Sequence, residues 1–414
     1  LNNERGMKRF FILLAVGMEI LYAQWNYAGY IHPSEMISTL TGKEIALPFR
    51  LSEFKFSYTK GDFDLKISTA IETRWSSGKT EADLREMYVI WYPSFGEVSV
   101  GKQILAWGAV DGNNPTDNLN AYNYYYMFLA GTDRKIGSLS IAVNYYAGDW
   151  KLTGVVIGEH RPNKLPFNEP DFPLELPPEP SHFLPVGDPL EYGLKAQITA
   201  GESDISFSWF KGHDRSFALA DPEKFTVGFR KTDILGVDIV RFLGDVTLRG
   251  ESAYFLTGTD FNSPFQVKAE YGQYALQMEY TTLSDITLNA QLIGNQYFWF
   301  SGLTLDPALG PVPVTKHNFQ MGTGTPFAVI SDSGLLTSAS GQLLDNRLEL
   351  KGLLYKNLKD AGTMLGGEIN YSPVENWTIH LALNQFIGDS SDPRNVFTTL
   401  EAFSHIRAGV EFNY

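Results

Sequence analysis

The chain has 414 residues, 43% hydrophobic and 14% aromatic, with no Cys and a formal charge of −14. Such a composition is too aromatic for a disordered chain, and the missing Cys excludes a disulfide framework and thiolate metal sites. No Lys/Arg-rich run occurs, which argues against a nucleic-acid partner, because a phosphate backbone needs a basic face.

The first element is a secretory signal. "MKRFFILLAVGMEILYAQ" joins two positive charges to an apolar run from Phe10, with Ala23 as the cleavage position; charge, apolar stretch and small residue in that order define an export signal. The reading places the start at Met7, with residues 1–6 as an upstream extension and 1–23 removed on export. Residues 24–414 are then a single domain.

From there the periodicity is two. "WNYAGYIH" (25–32) supplies a first strand. In "FDLKISTAIETRW" (63–75), apolar Phe63, Leu65, Ile67, Ile71 and Trp75 alternate with Asp64, Lys66, Ser68, Glu72 and Arg74. The same alternation runs through "DVTLRGESAYFL" (245–256), "NRLELKGLLY" (346–355) and "NWTIHLALNQF" (376–386), giving strands with one apolar and one polar face. Lengths of about 10 to 13 residues suit a tilted strand crossing a bilayer, roughly twice the strands of a soluble sandwich.

Connections alternate in length. Short ones are expected at 60–62, 93–96, 147–149, 201–204, 243–245, 283–285, 343–346 and 373–376, and long ones at 106–136, 159–189, 212–231, 300–327 and 389–401. Tight turns on one side and loops on the other define an up-and-down transmembrane antiparallel β-barrel, all-β, with about 18 strands, or 16 as the next even count. Tyr58, Tyr92, Trp150, Tyr280, Tyr371, Trp377 and Tyr414 fall at the turn ends, and Trp75, Tyr254, Phe298, Phe386 and Phe403 at the loop ends, as two interfacial girdles would.

The last strand, "HIRAGVEFNY" (405–414), puts Val410, Phe412 and Tyr414 on one face. It resembles the assembly signal of Gram-negative outer-membrane barrels, which implies the barrel assembly machinery as a partner. "VGKQILAWGAVDGNNPTDNLNAY" (100–122), through Gly101, Lys102, Gln103, Trp107, Gly108, Asn114, Pro115 and Asp117, is similar to a segment of a porin-like barrel group that includes alginate-export-type proteins. This resemblance implies the fold and leaves the substrate open.

With the polar faces turned inward, the lumen wall carries Lys55, Lys66, Arg74, Arg85, Lys151, Lys195, Arg249, Arg347, Lys351 and Arg407 beside Glu53, Asp64, Glu72, Glu191, Glu251, Glu279, Glu349, Glu368 and Glu411, with His405 on the same face as Arg407. The two sets nearly cancel, and ladders of both signs pair across neighbouring strands. An exporter of a polyanion needs an inward basic excess, so alginate export is not inferred.

Two loops are long enough to fill the bore of such a barrel. Gly, Asn and Pro in "AWGAVDGNNPTDN" permit the 106–136 loop to fold inward, where Asp111, Asn113, Asn114 and Asp117 would form a constriction, with Asp111 and Asp117 adding negative charge. The 159–189 loop holds nine of the 21 prolines and reads equally as a semi-rigid lid or as a variable surface loop. As a calcium loop, "DGNNPTD" lacks the acid at its twelfth position and carries Pro at its fifth.

No H-E-x-x-H or G-x-S-x-G motif is present. Ser404 and His405 are adjacent, hence on opposite strand faces, and His380 sits several residues from the level of His405. The expectation is therefore a non-enzymatic outer-membrane porin passing small polar solutes, without cofactor or metal. The alternatives are an occluded barrel whose loops bind a partner and, third, a barrel enzyme.

Overall fold

The computed structural model describes residues 24–414 apart from 130, 175, 177, 307, 323–329 and 393–394. The signal expected at 1–23 lies outside the described residues. The first half of the barrel has β1 (Gln24–Ile31, resumed as Ser34–Ser38), β2 (Phe49–Lys60), β3 (Phe63–Thr73), β4 (Thr80–Trp91), β5 (Gly96–Gln103), β6 (Ser138–Ala147), β7 (Trp150–Ile157), β8 (Glu191–Ala200) and β9 (Ser203–His213). The second half has β10 (Lys231–Leu243), β11 (Val246–Gly258), β12 (Val267–Thr281), β13 (Ile286–Asp306), β14 (Ser333–Leu343), β15 (Leu348–Asn357), β16 (Thr363–Val374), β17 (Trp377–Ile387) and β18 (His405–Asn413).

Each strand pairs antiparallel with its neighbour, and β1 closes the ring by pairing with both β2 and β18. The result is a closed 18-stranded β-barrel. Closure leaves the sheet without a terminal edge strand, which is what a sheet in hydrocarbon requires. Outward faces are rich in apolar residues: on β17, Trp377, Ile379, Leu381 and Leu383 are all 44–46% exposed, while Ala382 between them is buried.

Eight short turns alternate with nine longer loops. The turns fall where their Gly and Asp residues require: Gly148, first in its two-residue turn, takes φ 59, the conformation of a primed hairpin turn. Arg347 departs from expectation. It lies exposed in the 344–347 turn after three consecutive left-handed residues, Leu344, Asp345 and Asn346, so β15 begins one residue later and Arg347 is not on the lumen wall.

The turn-end girdle is present on the outer surface, with Trp150, Tyr280, Trp377 and Tyr414 all 37–45% exposed, whereas Tyr92 departs from expectation and turns inward, its hydroxyl bonding Asp64 on the lumen face. At the loop end Trp75 and Phe298 face outward, 50% and 56% exposed, but Phe386 and Phe403 are 1% and 5% exposed. Both belong to an apolar cluster under the loops that joins wall residues Tyr355 and Met364 to Tyr122, Tyr124, Phe172 and Phe397. For Phe386 the interior position follows from parity, since it shares the face of Ala382 and Asn384; Phe403 ends a 3-10 turn before β18 and packs inward from there.

Candidate functional site: the inward loop and the lumen wall

Residues 104–137, between β5 and β6, do not project outward. From Asn113 through Tyr124, apart from Asn114, every residue is buried. Gly108 turns the chain at φ 103, a conformation that disfavours any side chain, and a Cβ there would come within 2.5 Å of the Glu251 carboxylate.

Glu251 is the receptor for this loop. Its carboxylate accepts from the N–H groups of Ala109 and Val110 (2.7 Å from Val110), from Asn114 Nδ2 at 2.9 Å and from Thr116 Oγ1 at 3.0 Å. On the next strands Gln277 Oε1 accepts from Asp111 N at 2.8 Å and its amide returns a bond to the Asp111 carboxylate at 2.6 Å. Gln291 takes Asn113 Nδ2 at 2.7 Å and donates to Asp111 O at 2.9 Å. A loop rooted on β5 and β6 thus crosses the lumen and is fastened to β11–β13. Glu251 lies in the middle of its 13-residue strand, so the crossing is near mid-height.

The returning arm is held by a second seat. Arg85 donates to Thr132 O at 2.9 Å, Arg50 donates to Asp133 O at 3.1 Å, and Glu53 sits between them, 3.2 Å from Arg85 and 2.8 Å from the Ser68 hydroxyl. Arg50 was not among the residues singled out from sequence; a strand irregularity between Arg50 and Ser52 turns it inward.

The expected constriction residues are therefore together, but their charges are compensated. Asp111 pairs with Arg249 at 3.0 Å, and buried Asp117 pairs with buried Lys135. Each of the two acids therefore faces a cation that offsets the negative charge it brings into the lumen. Arg249 also reaches Glu279 at 3.7 Å. Wall charges nearer the turns remain wet: Lys55 is 63% and Lys351 44% exposed by side chain, with Glu53 and Glu349 as respective partners at 3.6 and 3.1 Å. Glu368 faces Lys351 across the strands, Lys195 pairs with Asp238 at 3.0 Å, Asp64 accepts from Tyr92 at 3.1 Å, and Lys66 and Lys151 line the same inward face. Glu72 lies 3.9 Å from Lys164 of the second long loop.

Residues 158–190 pack over the inward loop. Asn163 and Lys164 exchange bonds with Tyr122 and Tyr124, and Glu169 receives both Arg74 nitrogens at 2.9 and 2.6 Å and the Tyr125 hydroxyl at 2.8 Å. Arg215, from the 214–230 loop, joins Glu191 at 2.7 Å and the carbonyls of Asn118 and Leu119 at 3.1 Å. The loops form one packed layer.

The Arg74 hydrogen bonds hold the Glu169 carboxyl below the usual Glu range. A carboxyl whose folded pKa is depressed contributes stability above its unfolded pKa, about 4.3, and loses it as pH falls through the folded value. The expected result is that pepsin cleaves the 159–189 segment increasingly as pH drops from about 5 to about 3, and that Glu169→Gln is cleaved equally at both. Unchanged cleavage across that range would mean the latch does not hold the loop.

The serine and histidine next to each other near the C-terminus have structural roles: Ser404 Oγ accepts from Phe386 N at 3.0 Å and His405 Nδ1 bonds Phe403 O at 2.7 Å. His405 lies opposite Asn384, four positions from His380.

No family model and no curated protein matches the chain. Solved structures do. OccAB3 of Acinetobacter baumannii is 10% identical over 95% of this chain and 99% of its own, with a TM-score of 0.53. OccK8 (OprE) of Pseudomonas aeruginosa is 10% identical over 94% and 98%, at 0.52. A BenF-like porin from Pseudomonas fluorescens Pf-5 is 12% identical over 95% and 98%, at 0.52. At such identities the likeness is one of architecture: this chain shares the barrel fold of these outer-membrane porins.

Proposed function

We propose that the protein is a narrow channel in the outer membrane of a Gram-negative bacterium, reached after Sec-type export, through which small polar solutes diffuse passively. The observation that carries this reading is the 104–137 loop fastened across the lumen to Glu251, Gln277 and Gln291. An 18-stranded barrel otherwise leaves a wide aqueous bore, and a loop bonded at mid-height reduces it to an aperture without blocking the wall charges below. The fold it shares with a BenF-like porin supports the same reading. The segment 100–122, similar to that of alginate-export-type barrels, is the inward loop's first arm, and the near balance of inward charge gives no ground for a polyanionic substrate.

Because Asp111 and Asp117 are paired, selectivity should be weak. Reconstituted in a planar bilayer, the protein is expected to give small, stable conductance steps with a reversal potential near zero in a salt gradient. A strong cation or anion preference would show that the wet wall charges nearer the turns, such as Lys55 and Lys351, set the field. A second reading is favoured by the apolar cluster beneath the loops: a mouth closed at rest, the loops serving as a docking surface. Absence of any conductance from folded protein would select it.

A further inference from the structure

We propose that His32, His380 and Glu411 form a binding site for a divalent transition metal of the zinc class, set in the lumen wall across the seam where β1 meets β17 and β18. His32 comes from the break within β1, His380 from β17 and Glu411 from β18, and their ligand atoms all lie within 4.8 Å of one another. His32 Nδ1 stands 3.6 Å and His380 Nε2 3.7 Å from the same oxygen, Glu411 Oε2. Ligands at the usual zinc distances, about 2.0–2.2 Å, sit roughly 3.4 Å apart around a tetrahedron, so the present spacing needs only small side-chain adjustments.

The hydrogen bonding around His380 makes the case stronger than proximity does. Asn370 donates from Nδ2 to Glu349 at 2.9 Å, which turns its Oδ1 toward His380 Nδ1, 2.9 Å away. An amide oxygen accepts only, so Nδ1 carries the ring proton and Nε2 presents its lone pair. That Nε2 is buried without a hydrogen-bond partner and points at a carboxylate oxygen. Two lone pairs facing each other call for a cation between them. A histidine ligand held by an oxygen acceptor on its other nitrogen is the arrangement that metal sites use to orient the ring. Glu411 is likewise oriented, its Oε1 receiving Asn413 Nδ2 at 2.9 Å.

The backbone makes room for this arrangement. Pro33 interrupts β1 immediately after His32, and the His32 ring lies over Gly409, where a Cβ would come within 2.5 Å of Nε2. The charged groups facing His380 are Glu411, Arg407, Glu368 and Glu349, and Lys351 also engages Glu349. The three side chains are 21–26% exposed, leaving a fourth position open to lumen water. The His160, Glu191 and His213 cluster in the same barrel lacks this character, because Arg215 already neutralises Glu191 at 2.7 Å and stands 3.3 Å from His160.

The test uses tag-free full-length protein, chelator-stripped in detergent and titrated with zinc(II) by calorimetry, with the heat-modifiable gel band as the check of folding. Expected are one equivalent bound, a raised unfolding temperature of that band, and loss of both effects in His380→Gln and in His32→Gln. Asn370→Ala should weaken binding about tenfold to hundredfold through the lost ring orientation, while His160→Gln/His213→Gln binds as wild type. If one histidine variant fails to give the folded band, the other decides. No stoichiometric binding by folded protein would overturn the site and leave a proton as the shared cation; binding unchanged in both histidine variants would overturn it as well. Neither readout depends on whether the barrel conducts.

Discussion

Replacing Glu251 with Ala should release the inward loop while leaving the barrel intact. One carboxylate accepts from two backbone N–H groups, an Asn amide and a Thr hydroxyl of the loop. Hydrogen bonds to a charged acceptor contribute about 1.5–3 kcal/mol each, so their joint loss outweighs what the half-exposed Arg249–Asp111 pair returns. β11 itself keeps its full ladder with β10 and β12, and the folded, heat-modifiable band should persist. Chymotrypsin should then cut at Tyr122–Tyr126, and single-channel conductance should rise roughly twofold or more toward that of an open bore. Glu251→Gln, which keeps the acceptor geometry without the charge, should fall between. A Glu251→Ala protein with wild-type conductance and an uncut loop would show that Gln277, Gln291 and the Arg50/Arg85 seat suffice, and that Glu251 is not the anchor.

What sequence reading could and could not deliver divides along local and non-local lines. Turns at Gly148 or Gly61, and strands such as Phe63–Thr73, are written in a few adjacent residues, because a primed turn needs positive φ and a wall strand needs one apolar face. The strand total followed, including the weakly patterned first strand Gln24–Ile31. Glu251 was visible only as an inward acid opposite its neighbours; that it would spend its charge on main-chain donors 135–142 residues away has no local signature. The same holds for Asp111 and Asp117, whose neutralising partners Arg249 and Lys135 become neighbours only once the loop has folded in.

Other differences trace to ends of elements and to the seam. Arg347 fits a strand pattern until three left-handed residues before it claim it for the turn. Phe386 and Phe403 sit at loop-end height, which suggested a girdle, whereas alternation along β17 places Phe386 inside; parity was the better guide than height. In sequence terms the nearest histidine to His380 is His405 on the next strand, which lies opposite Asn384. The real companion of His380 is His32, more than three hundred residues earlier, brought alongside by barrel closure, and only the register of β1 on β18 could have revealed that.

The same seam supports the second large expected effect. Phe412→Ser/Tyr414→Ser should reduce membrane-inserted protein by more than about tenfold, beyond the several-fold change that a loss of 1–2 kcal/mol brings. Locally the substitutions cost little structure. Phe412 packs on Trp377 with centroids 4.9 Å apart, a contact contributing about 0.5–1.5 kcal/mol beyond area, and Tyr414 keeps its two backbone bonds to Gly29 at 3.0 and 3.2 Å whatever its side chain. Tyr414 lies over Gly29 and is 42% exposed on the outer surface, so protein contacts hold only part of its ring. A large deficit would therefore arise during assembly, where an aromatic end on the last strand is what the barrel assembly machinery is proposed to recognise. Refolding the purified variant into detergent separates the two causes: near-normal folded yield in vitro with a large deficit in cells assigns the residues to recognition, whereas equal losses in both would reduce them to seam packing.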